Sequence, residues 1–333
     1  DRAHAGHHVL AEHLEEAELP ESAIASAREA ETEIGTGRRH PGSIANRARP
    51  CSLALRGEPC DEPRMSRSVL VTGTSSGIGL ACVERFHAAG YSVVATVRKE
   101  EDAATLRSRF PGITTLVLDL ADEASIDRVI GAELARRGGV DVVVNNAGAS
   151  IVGAVEDLTM RDYRAQMELN LFAAIRVTQL ALPYLRARRS GAIVQLSSGF
   201  GRITLPMFSA YCASKYALEG FTEALAFEMA PFGVHVSLVE PGPVATRFDA
   251  NRREAERYDV DGPYAAMYRA MRERLTGSHR EGASSAEDAA EAVFRAATSS
   301  SPALRYPVGR MGHAANVAAR FVPEGERASL TQW

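Results

Sequence analysis

Short runs of β-branched and apolar residues alternate with longer amphipathic stretches from residue 68 onward. The apolar runs predict strands at 69–71, 91–97, 113–118, 140–144, 192–196 and 234–239. The stretches between them predict helices at 78–89, 122–136, 161–189 and 210–230. Strands that are apolar throughout are typical of a parallel sheet with helices on both faces. The pattern therefore predicts an α/β fold: one doubly wound domain with a mostly parallel sheet.

The pattern changes beyond Pro241. Charged and aromatic residues dominate 246–282, where short helices are predicted around 252–257 and 265–275. A helix at 286–297, capped by Ser284 or Ser285, and a last strand at 304–308 are predicted to follow. We expect one domain over 65–333, in which 244–282 forms a lid over the substrate.

Residues 1–64 do not share this alternation. They hold 12 acidic and 8 basic residues and five of the nine histidines. Such a segment cannot bury enough apolar surface to offset its ordering entropy, so we expect a disordered extension. Because Met65 directly precedes the first strand, we expect it to be the natural start and 1–64 to be a read-through or fused segment. A regulatory tail is the alternative.

The overall charge and the cysteines disfavour several function classes. The net charge of −4 gives no reason to expect a nucleic acid or an anionic membrane surface as partner. No apolar run reaches the roughly 18 residues that a membrane span needs, and the first residues show no secretory pattern. The four cysteines form no CxxC pair and no cluster with histidines at metal spacing. We therefore expect no metal site and a cytoplasmic protein with reduced cysteines.

A glycine-rich turn follows the first predicted strand. The sequence TGTSSGIG at 72–79 leads directly from this strand into a helix. Glycines at such a turn let the backbone approach a pyrophosphate, and the helix N-terminus adds free N–H groups and a positive dipole end. On the first strand of a doubly wound (Rossmann) sheet, the turn predicts a dinucleotide site.

Polar residues end the next three strands. Asp119 either caps the adenine edge or is an ordinary turn aspartate. The run at 145–148, NNAG, places amides where they join strand ends, and Gly148 lets a cofactor lie close. The second strand ends at Arg98 and Lys99 with no acid at its tip, which favours the 2′-phosphate of NADP(H) over NAD(H). Alternatively both cations are solvated, and NAD remains possible.

Tyr211 and Lys215 are four residues apart, so on a helix they share one face. Lys215 is one of only two lysines in the chain and lies in an otherwise apolar helix. A nearby ammonium favours the phenolate and brings the tyrosine pKa toward neutral, where acid/base catalysis is efficient. Ser198 follows the fifth strand, where its hydroxyl can donate to a substrate carbonyl. Asn170 is either a further site residue or a solvent-facing helical asparagine.

Together these residues resemble the classical short-chain dehydrogenases/reductases over 66–248. The resemblance implies that Tyr211 is the general acid/base, that Lys215 lowers its pKa and binds the nicotinamide ribose, that Ser198 orients the substrate oxygen and that Asn170 supports a proton-relay water. It also implies a cofactor site formed by Gly73, Ser75, Ser76, Gly77, Ile78, Gly79, Arg98, Asp119, Leu120, Asn146, Ala147, Gly148, Tyr211, Lys215, Pro241, Gly242, Val244 and Thr246.

The resemblance implies an oxidoreductase that transfers hydride between a nicotinamide and an alcohol or carbonyl carbon. The segments at 211–220 and 232–240 look like the hydroxysteroid and retinol dehydrogenase branch. A non-catalytic NADP(H)-binding sensor or scaffold would need the glycine turn but not the Ser198, Tyr211 and Lys215 set. A nucleotide-sugar lyase or epimerase fits the glycine spacing less well.

Apolar side chains around the predicted site favour a bulky hydrophobic alcohol or ketone, such as a steroid, retinoid or long-chain carbonyl. They are Phe200, Ile203, Leu205, Met207 and Phe208 after Ser198, and Phe248, Tyr258, Tyr264, Met267, Tyr268 and Met271 in the expected lid. Alternatively many of them are core or oligomer contacts. By analogy with the family, the helices at 161–189 and 210–230 form the faces of a homodimer or homotetramer.

Overall fold

In the computed structural model of the chain, the described residues are 66–246, 248, 252–259, 261–276, 283–323 and 326. The expected extension at 1–64 lies outside the described residues, as do 247, 249–251, 260 and 277–282 of the expected lid. The division into an extension and one domain stays a prediction.

The strands in chain order are β1 Ser68–Val71, β2 Ser92–Val97, β3 Thr114–Val117, β4 Val142–Asn145, β5 Ile151–Val152, β6 Ala192–Leu196, β7 His235–Pro241, β8 Arg253–Glu254 and β9 Arg305–Val308. Seven of them form one sheet in the order β3-β2-β1-β4-β6-β7-β9, and every pair in it is parallel. The chain winds outward in one direction from β1 to β3 and then continues from β4 on the other side. The predicted doubly wound Rossmann fold is confirmed.

The helices are α1 Gly77–Ala88, α2 Glu100–Arg109, α3 Glu123–Ile126, α4 Ala132–Arg137, α5 Met160–Met167, α6 Ala173–Arg188, α7 Ser209–Met229, α8 Ala265–Thr276, α9 Ala286–Thr298 and α10 Gly309–Phe321. Two π-helical turns, Asp127–Gly131 and Glu168–Phe172, join α3 to α4 and α5 to α6. Among the described residues, no helix combines the length and the apolarity that a membrane crossing requires.

Two apolar cores lie on opposite faces of the sheet. Side chains alternate along a strand, so Val69 and Val71 of β1 enter one core while Leu70 enters the other. The first core packs α1, α2 and α9 against the sheet, and the second packs α3, α4, α6 and α7. Phe86 and Ile130 are fully buried in the two cores. Burial on both faces explains why the strands are apolar at nearly every position.

The predicted helix at 252–257 is wrong. Arg253 and Glu254 instead form β8, which pairs with β5 in a separate two-stranded parallel sheet. The backbone N–H of Arg253 donates to Ser150 O (2.9 Å), and that of Ala255 donates to Val152 O (2.8 Å). This segment has no apolar periodicity of its own, and its conformation follows from pairing with a distant strand.

Candidate active site

Two of the three glycines in the turn at 72–79 lie so close to neighbouring atoms that a side chain would not fit. A Cβ on Gly73, whose φ is +69°, would lie 2.9 Å from Ala147 Cα. A Cβ on Gly79 would lie 2.2 Å from Gly73 O and 2.4 Å from Asn146 Nδ2. Since real Cβ atoms do not approach that closely, only glycine fits at position 79.

Hydrogen bonds from the residues at the end of β4 fix the conformation of this turn. Thr72 Oγ1 accepts from the backbone N–H groups of Asn146 (3.0 Å) and Ala147 (3.1 Å). Asn146 Nδ2 donates to the carbonyl oxygens of Thr72 and Gly73, each at 2.9 Å. Asn145 Nδ2 turns the other way and donates to Thr178 Oγ1 of α6 (3.0 Å). The two amides therefore brace the carboxyl ends of β1 and β4.

The N-terminus of α1 lies at the same place. Ser76 at the N-cap makes no side-chain capping bond, and the first turn holds no acidic residue, so neither competes there with an anionic ligand. Ser75 is exposed, and Ile78 is partly buried against the core. The glycine cradle and this helix end fit the pyrophosphate of a dinucleotide.

The loop after β7 lies over the glycine turn. A Cβ on Gly77 would lie 3.2 Å from Thr246 Cβ. Val244 forms an isolated bridge with Ser284. Pro241 pairs with Val308 of β9, and a Cβ on Gly242 would lie 2.8 Å from Gly312 N of α10. The structure thus brings the predicted nicotinamide loop and the pyrophosphate turn together.

The tip of β2 lies beside the turn, because Gly73 N donates to Thr96 Oγ1 (3.1 Å) and Thr74 Oγ1 donates to Thr96 O (3.0 Å). Arg98 follows two residues later and is exposed, and within the described part of the chain no acidic side chain pairs with it. The neighbouring Glu100 is bound by Arg107 (2.6 Å).

Asp119 and Leu120 follow the carboxyl end of β3, at the same edge of the sheet as the glycine turn. Asp119 is exposed, and its Oδ1 accepts from Ala121 N (3.0 Å), as in an ordinary Asx turn. Leu120 is buried in the core. An exposed carboxylate in a turn is compatible with both interpretations of Asp119, so its contact with adenine stays a prediction.

Tyr211 and Lys215 lie on α7 and are both buried, at 7% and 4% exposure. Lys215 Nζ donates to Leu196 O at the end of β6 (2.7 Å) and lies 5.8 Å from the centre of the Tyr211 ring. Burial lowers the pKa of Lys215 to about 8, and the Glu219 carboxylate opposes that shift. The ammonium is therefore retained at pH 7, close enough to stabilise a tyrosinate.

Asn170 lies in the π-helical turn between α5 and α6 and is buried, so the solvent-facing alternative is wrong. Its Oδ1 accepts from Ala149 N (3.0 Å), and its Nδ2 donates to Ala149 O (3.0 Å) and Ser214 Oγ (3.1 Å). Ser214 Oγ in turn donates to Tyr211 O (2.7 Å). A Cβ on Gly148 would lie 3.2 Å from Asn170 Oδ1 and 3.8 Å from Lys215 Nζ. Asn170 is thus tied to the Tyr211 turn and lies across Gly148 from the ammonium.

Ser198 stands two residues beyond Leu196, at the strand end that binds Lys215. Its Oγ accepts from Phe200 N (3.2 Å), which leaves its own O–H able to donate to a substrate oxygen. The structure therefore gathers all four predicted catalytic residues around the carboxyl ends of β4 and β6.

An apolar cluster surrounds the Tyr211 ring. The Tyr211 ring packs edge-on against Phe200 (6.2 Å between centroids) and Phe248 (5.9 Å). Ile203, which the sequence also predicted beside the site, packs against Ala318 and Val322 and is not a member of this cluster. The remaining members are Val152, Ala154, Leu205, Met207, Phe208, Cys212, Tyr258, Tyr264, Met267, Tyr268 and Met271.

Part of this cluster is structural. Tyr268 and Met271 of α8 are fully buried. Tyr268 Oη donates to Asp157 Oδ2 (3.0 Å) and accepts from Ala154 N (3.2 Å). These contacts dock α8 on the loop after β5.

Several contacts of this site were not predicted from the sequence. Thr72 and Thr96, which brace the turn, and Ser214, which links Asn170 to Tyr211, carried no signal, because their partners lie far away in sequence or are backbone atoms. Within the described residues, no group of three His, Cys, Asp or Glu side chains is arranged to hold a metal ion.

A doubly wound sheet with a glycine cradle and a buried Tyr/Lys pair defines a class of dinucleotide-dependent oxidoreductases. The family model described as short chain dehydrogenase matches residues 67–257. The chain therefore belongs to the short-chain dehydrogenase family, and the predicted resemblance is confirmed.

Individual proteins show the same likeness. The NADPH-dependent 3-dehydrocapnine reductase of Ornithobacterium rhinotracheale is 35% identical over 209 residues, which cover 61% of this chain and 74% of that protein. Retinol dehydrogenase 8 of Homo sapiens is 40% identical over 191 residues, covering 55% and 60%. The crystal structure of a short-chain dehydrogenase from Streptomyces avermitilis is 36% identical with a TM-score of 0.69, covering 81% of this chain and 96% of that one.

Proposed function

We propose that this chain is an NADP(H)-preferring oxidoreductase that interconverts an alcohol and a ketone or aldehyde on a bulky apolar substrate. The observation that carries the proposal is the buried Tyr211–Lys215 pair at the edge of an apolar cluster. A nicotinamide cofactor, when bound, supplies or accepts the hydride. The glycine turn, the N-terminus of α1 and the loop at 241–246 would hold it.

The four site residues divide the remaining work. In reduction, Tyr211 donates its proton to the carbonyl oxygen while the Ser198 hydroxyl donates a hydrogen bond to the same oxygen. In oxidation, the Tyr211 phenolate accepts the hydroxyl proton. The Lys215 ammonium stabilises that phenolate, and Asn170 holds the π-helical turn beside them, where it would support a proton-relay water.

The apolar cluster supports the substrate class. Phe200 and Phe248 flank the Tyr211 ring, and Leu205 and Met267 are partly buried beside it. Such surroundings favour steroid, retinoid or long-chain carbonyl groups, since burying apolar area contributes about 25 cal/mol per Å². The similarity to retinol dehydrogenase 8 supports the same class.

A substrate screen tests this function. The purified protein is assayed with NADPH against steroid, retinoid and long-chain ketones or aldehydes and against small keto sugars, by following cofactor absorbance. We expect kcat/KM to be at least about tenfold higher for the apolar group. A preference for the sugars would contradict the proposed substrate class. Cofactor binding without turnover of any compound would favour the sensor or scaffold.

The cofactor preference rests on Arg98. Its guanidinium is exposed at the tip of β2, and Glu100, the nearest acidic neighbour in sequence, is engaged by Arg107. A planar guanidinium binds a 2′-phosphate with two parallel hydrogen bonds, whereas an acid at this tip would repel it. The NADPH dependence in the name of the 3-dehydrocapnine reductase is in line with this preference.

Arg98→Ala is expected to lower kcat/KM for NADPH by about 10- to 100-fold and to leave kcat/KM for NADH nearly unchanged, because a hydrogen-bonded charge pair contributes about 1.5–3 kcal/mol. Steady-state kinetics with both cofactors measure this. The matched control is Arg186→Ala, which removes an exposed arginine from the last turn of α6, just before the amino end of β6. Equal use of both cofactors by the wild type would refute Arg98 as the discriminating residue.

Two further expectations concern the assembly and the compartment. The helix α7 and the π-helical turn before α6 expose Phe172 (49%), Tyr216 (42%) and Phe227 (81%), which supports a homodimer or homotetramer. Light scattering gives the mass that decides it. Within the described residues, Cys82 and Cys212 are buried and form no disulfide, which is compatible with a cytoplasmic protein, and fractionation of the source cells tests that location.

A further inference from the structure

A group of charged and polar side chains lies beyond Lys215 along α7, on the side away from Tyr211. We call it the Arg305 cluster; its members are Arg305, Glu219, Glu223, Glu240 and Asn316. Arg305 Nε and Nη2 each donate to Glu219 Oε2 at 3.1 Å, and Nε also lies 3.1 Å from Glu240 Oε1. Arg305 Nη2 also bonds Glu223, and Asn316 Nδ2 donates to Glu240 Oε2 (2.7 Å). The cluster connects α7, β7, β9 and α10.

Glu219 is the member of the cluster nearest to Lys215 in sequence. It lies four residues further along α7, so the two side chains share one helix face, and each is only 4% exposed. Both reach the end of β6. Lys215 Nζ binds Leu196 O, and a Cβ on Gly201 would lie 2.7 Å from Ser197 Oγ and 3.3 Å from Glu219 Oε1.

The two oxygens of Glu219 differ in their surroundings. Oε2 is anchored by Arg305, whereas Oε1 has no hydrogen-bond partner within the described part of the chain. The anchor fixes the side chain, and the second oxygen remains at the strand end that also holds the ammonium. The position of this carboxylate is therefore set independently of Lys215.

Glu219 is the carboxylate whose charge acts on Lys215. Burial, and then the Glu219 charge, raise the pKa of Glu240, which disfavours its ionised form. Burial lowers the pKa of Lys215, and Glu219 opposes the shift. Other polar or charged groups face Lys215 and Glu219 from every neighbouring element. On the Lys215 side they are Tyr211 on α7, Asn170 across Gly148, and Ser197 and Leu196 O at the end of β6. On the Glu219 side they are Glu223 on α7, Glu240 on β7, Arg305 on β9, Asn316 on α10, and Arg202, whose charge acts on Glu240.

We propose that Glu219 is a positioning residue for the reaction: its anchored carboxylate keeps Lys215 protonated, so that the ammonium can stabilise the Tyr211 phenolate. This inference rests on the proposed function, which assigns the proton transfer to Tyr211. Glu219 does not touch the substrate and acts only through Lys215. Arg305 contributes by holding Glu219 in place.

The titration of Tyr211 tests the proposal without a substrate. Tyrosinate absorbance is followed against pH in the full chain with saturating NADP⁺, and the same titration of Tyr211→Phe is subtracted to isolate Tyr211. In Glu219→Gln the ammonium loses its supporting charge, so Lys215 gives up its proton at lower pH. Because a neutral Lys215 amine stabilises the phenolate less than the ammonium does, the Tyr211 midpoint is expected to rise by about 1 pH unit.

Glu223→Gln is the matched control. Glu223 lies on the same helix and also bonds Arg305, but it is one further turn from Lys215 and its side chain is 44% exposed. Its substitution is expected to leave the Tyr211 midpoint nearly unchanged. A Tyr211 midpoint that does not rise in Glu219→Gln, or that rises equally in Glu223→Gln, would overturn the proposal.

Two further measurements keep the outcomes distinct. If Glu219→Gln does not fold, as judged by circular dichroism, Glu219→Asp replaces it. The shorter side chain draws the charge away from Lys215, so a smaller rise is expected and no rise counts against the proposal. If the wild type and Tyr211→Phe titrate identically with no ionisation below the ordinary tyrosine range, the assignment of Tyr211 fails, and with it the proposed function.

Discussion

Tyr211→Phe is expected to lower kcat by at least about 10²–10⁴-fold with any ketone that the wild type reduces. The substitution removes the proton donor but keeps the ring. The ring packs edge-on against Phe200 and Phe248, and these contacts do not need the hydroxyl. The thermal midpoint and the Kd for NADPH, measured by fluorescence titration, should therefore change little.

The matched control for this variant is Tyr216→Phe. Tyr216 lies on the same helix, but it is 42% exposed and is not a member of the apolar cluster. This variant should keep nearly the full rate. Near-normal turnover by Tyr211→Phe, with the control also active, would show that another group carries the proton.

Gly79→Ala is expected to abolish dinucleotide binding and to lower the free energy of unfolding by about 1–3 kcal/mol, as overpacked sites do. The new Cβ would lie 2.2 Å from Gly73 O, which is backbone and cannot move without opening the turn. Asn146 Nδ2, at 2.4 Å, would also be displaced, and it braces both β1 and β4. Calorimetric titration with NADP⁺ and thermal unfolding measure the two effects.

Gly220→Ala is the control for this substitution. Gly220 also lies in a helix, but a Cβ there would have no atom within 4 Å. Alanine should therefore stabilise the protein by about 0.5–1 kcal/mol, because it is the better helix former. If Gly79→Ala binds NADP⁺ as well as Gly220→Ala does, the glycine cradle is not the pyrophosphate site.

Two helices were not predicted, and for one of them, α2, the reason is a weak amphipathic signal in its sequence. The helix α2 buries only Ala103 and Leu106 of its ten residues. The helix α10 starts at a glycine and packs mainly through small residues, namely Gly312, Ala315 and Ala318. Small side chains let this helix approach the end of β7 closely, where a Cβ on Gly312 would lie 2.7 Å from Glu240 O.

The segment at 252–257 failed for a different reason. It is charged, and its strand conformation depends on β5, about 100 residues earlier in the chain. Arg253 donates to Asp162 Oδ1 (2.8 Å), and Glu254 accepts from Arg272 Nε (2.9 Å). Such partners lie in other elements, so a local pattern in the sequence cannot reveal them.

The sequence by itself determined the sheet, the glycine turn and the Tyr211–Lys215 pair. Each is a local property: strands buried on both faces must be apolar throughout, a tight turn beside a ligand needs glycine, and a spacing of four places two side chains on one helix face. The Ser285 cap of α9 was equally local, and its capping box with Asp288 is present.

Only the tertiary structure decided the surroundings of these groups. It buried Asn170 in a π-helical turn, joined Asn146 to Thr72 across 74 positions and joined Arg305 to Glu219 across 86 positions. Contacts between residues so far apart arise because the doubly wound topology brings the carboxyl ends of parallel strands to one edge. The burial and charge that tune Lys215 exist only after that edge has formed, and for this reason no local pattern contains them.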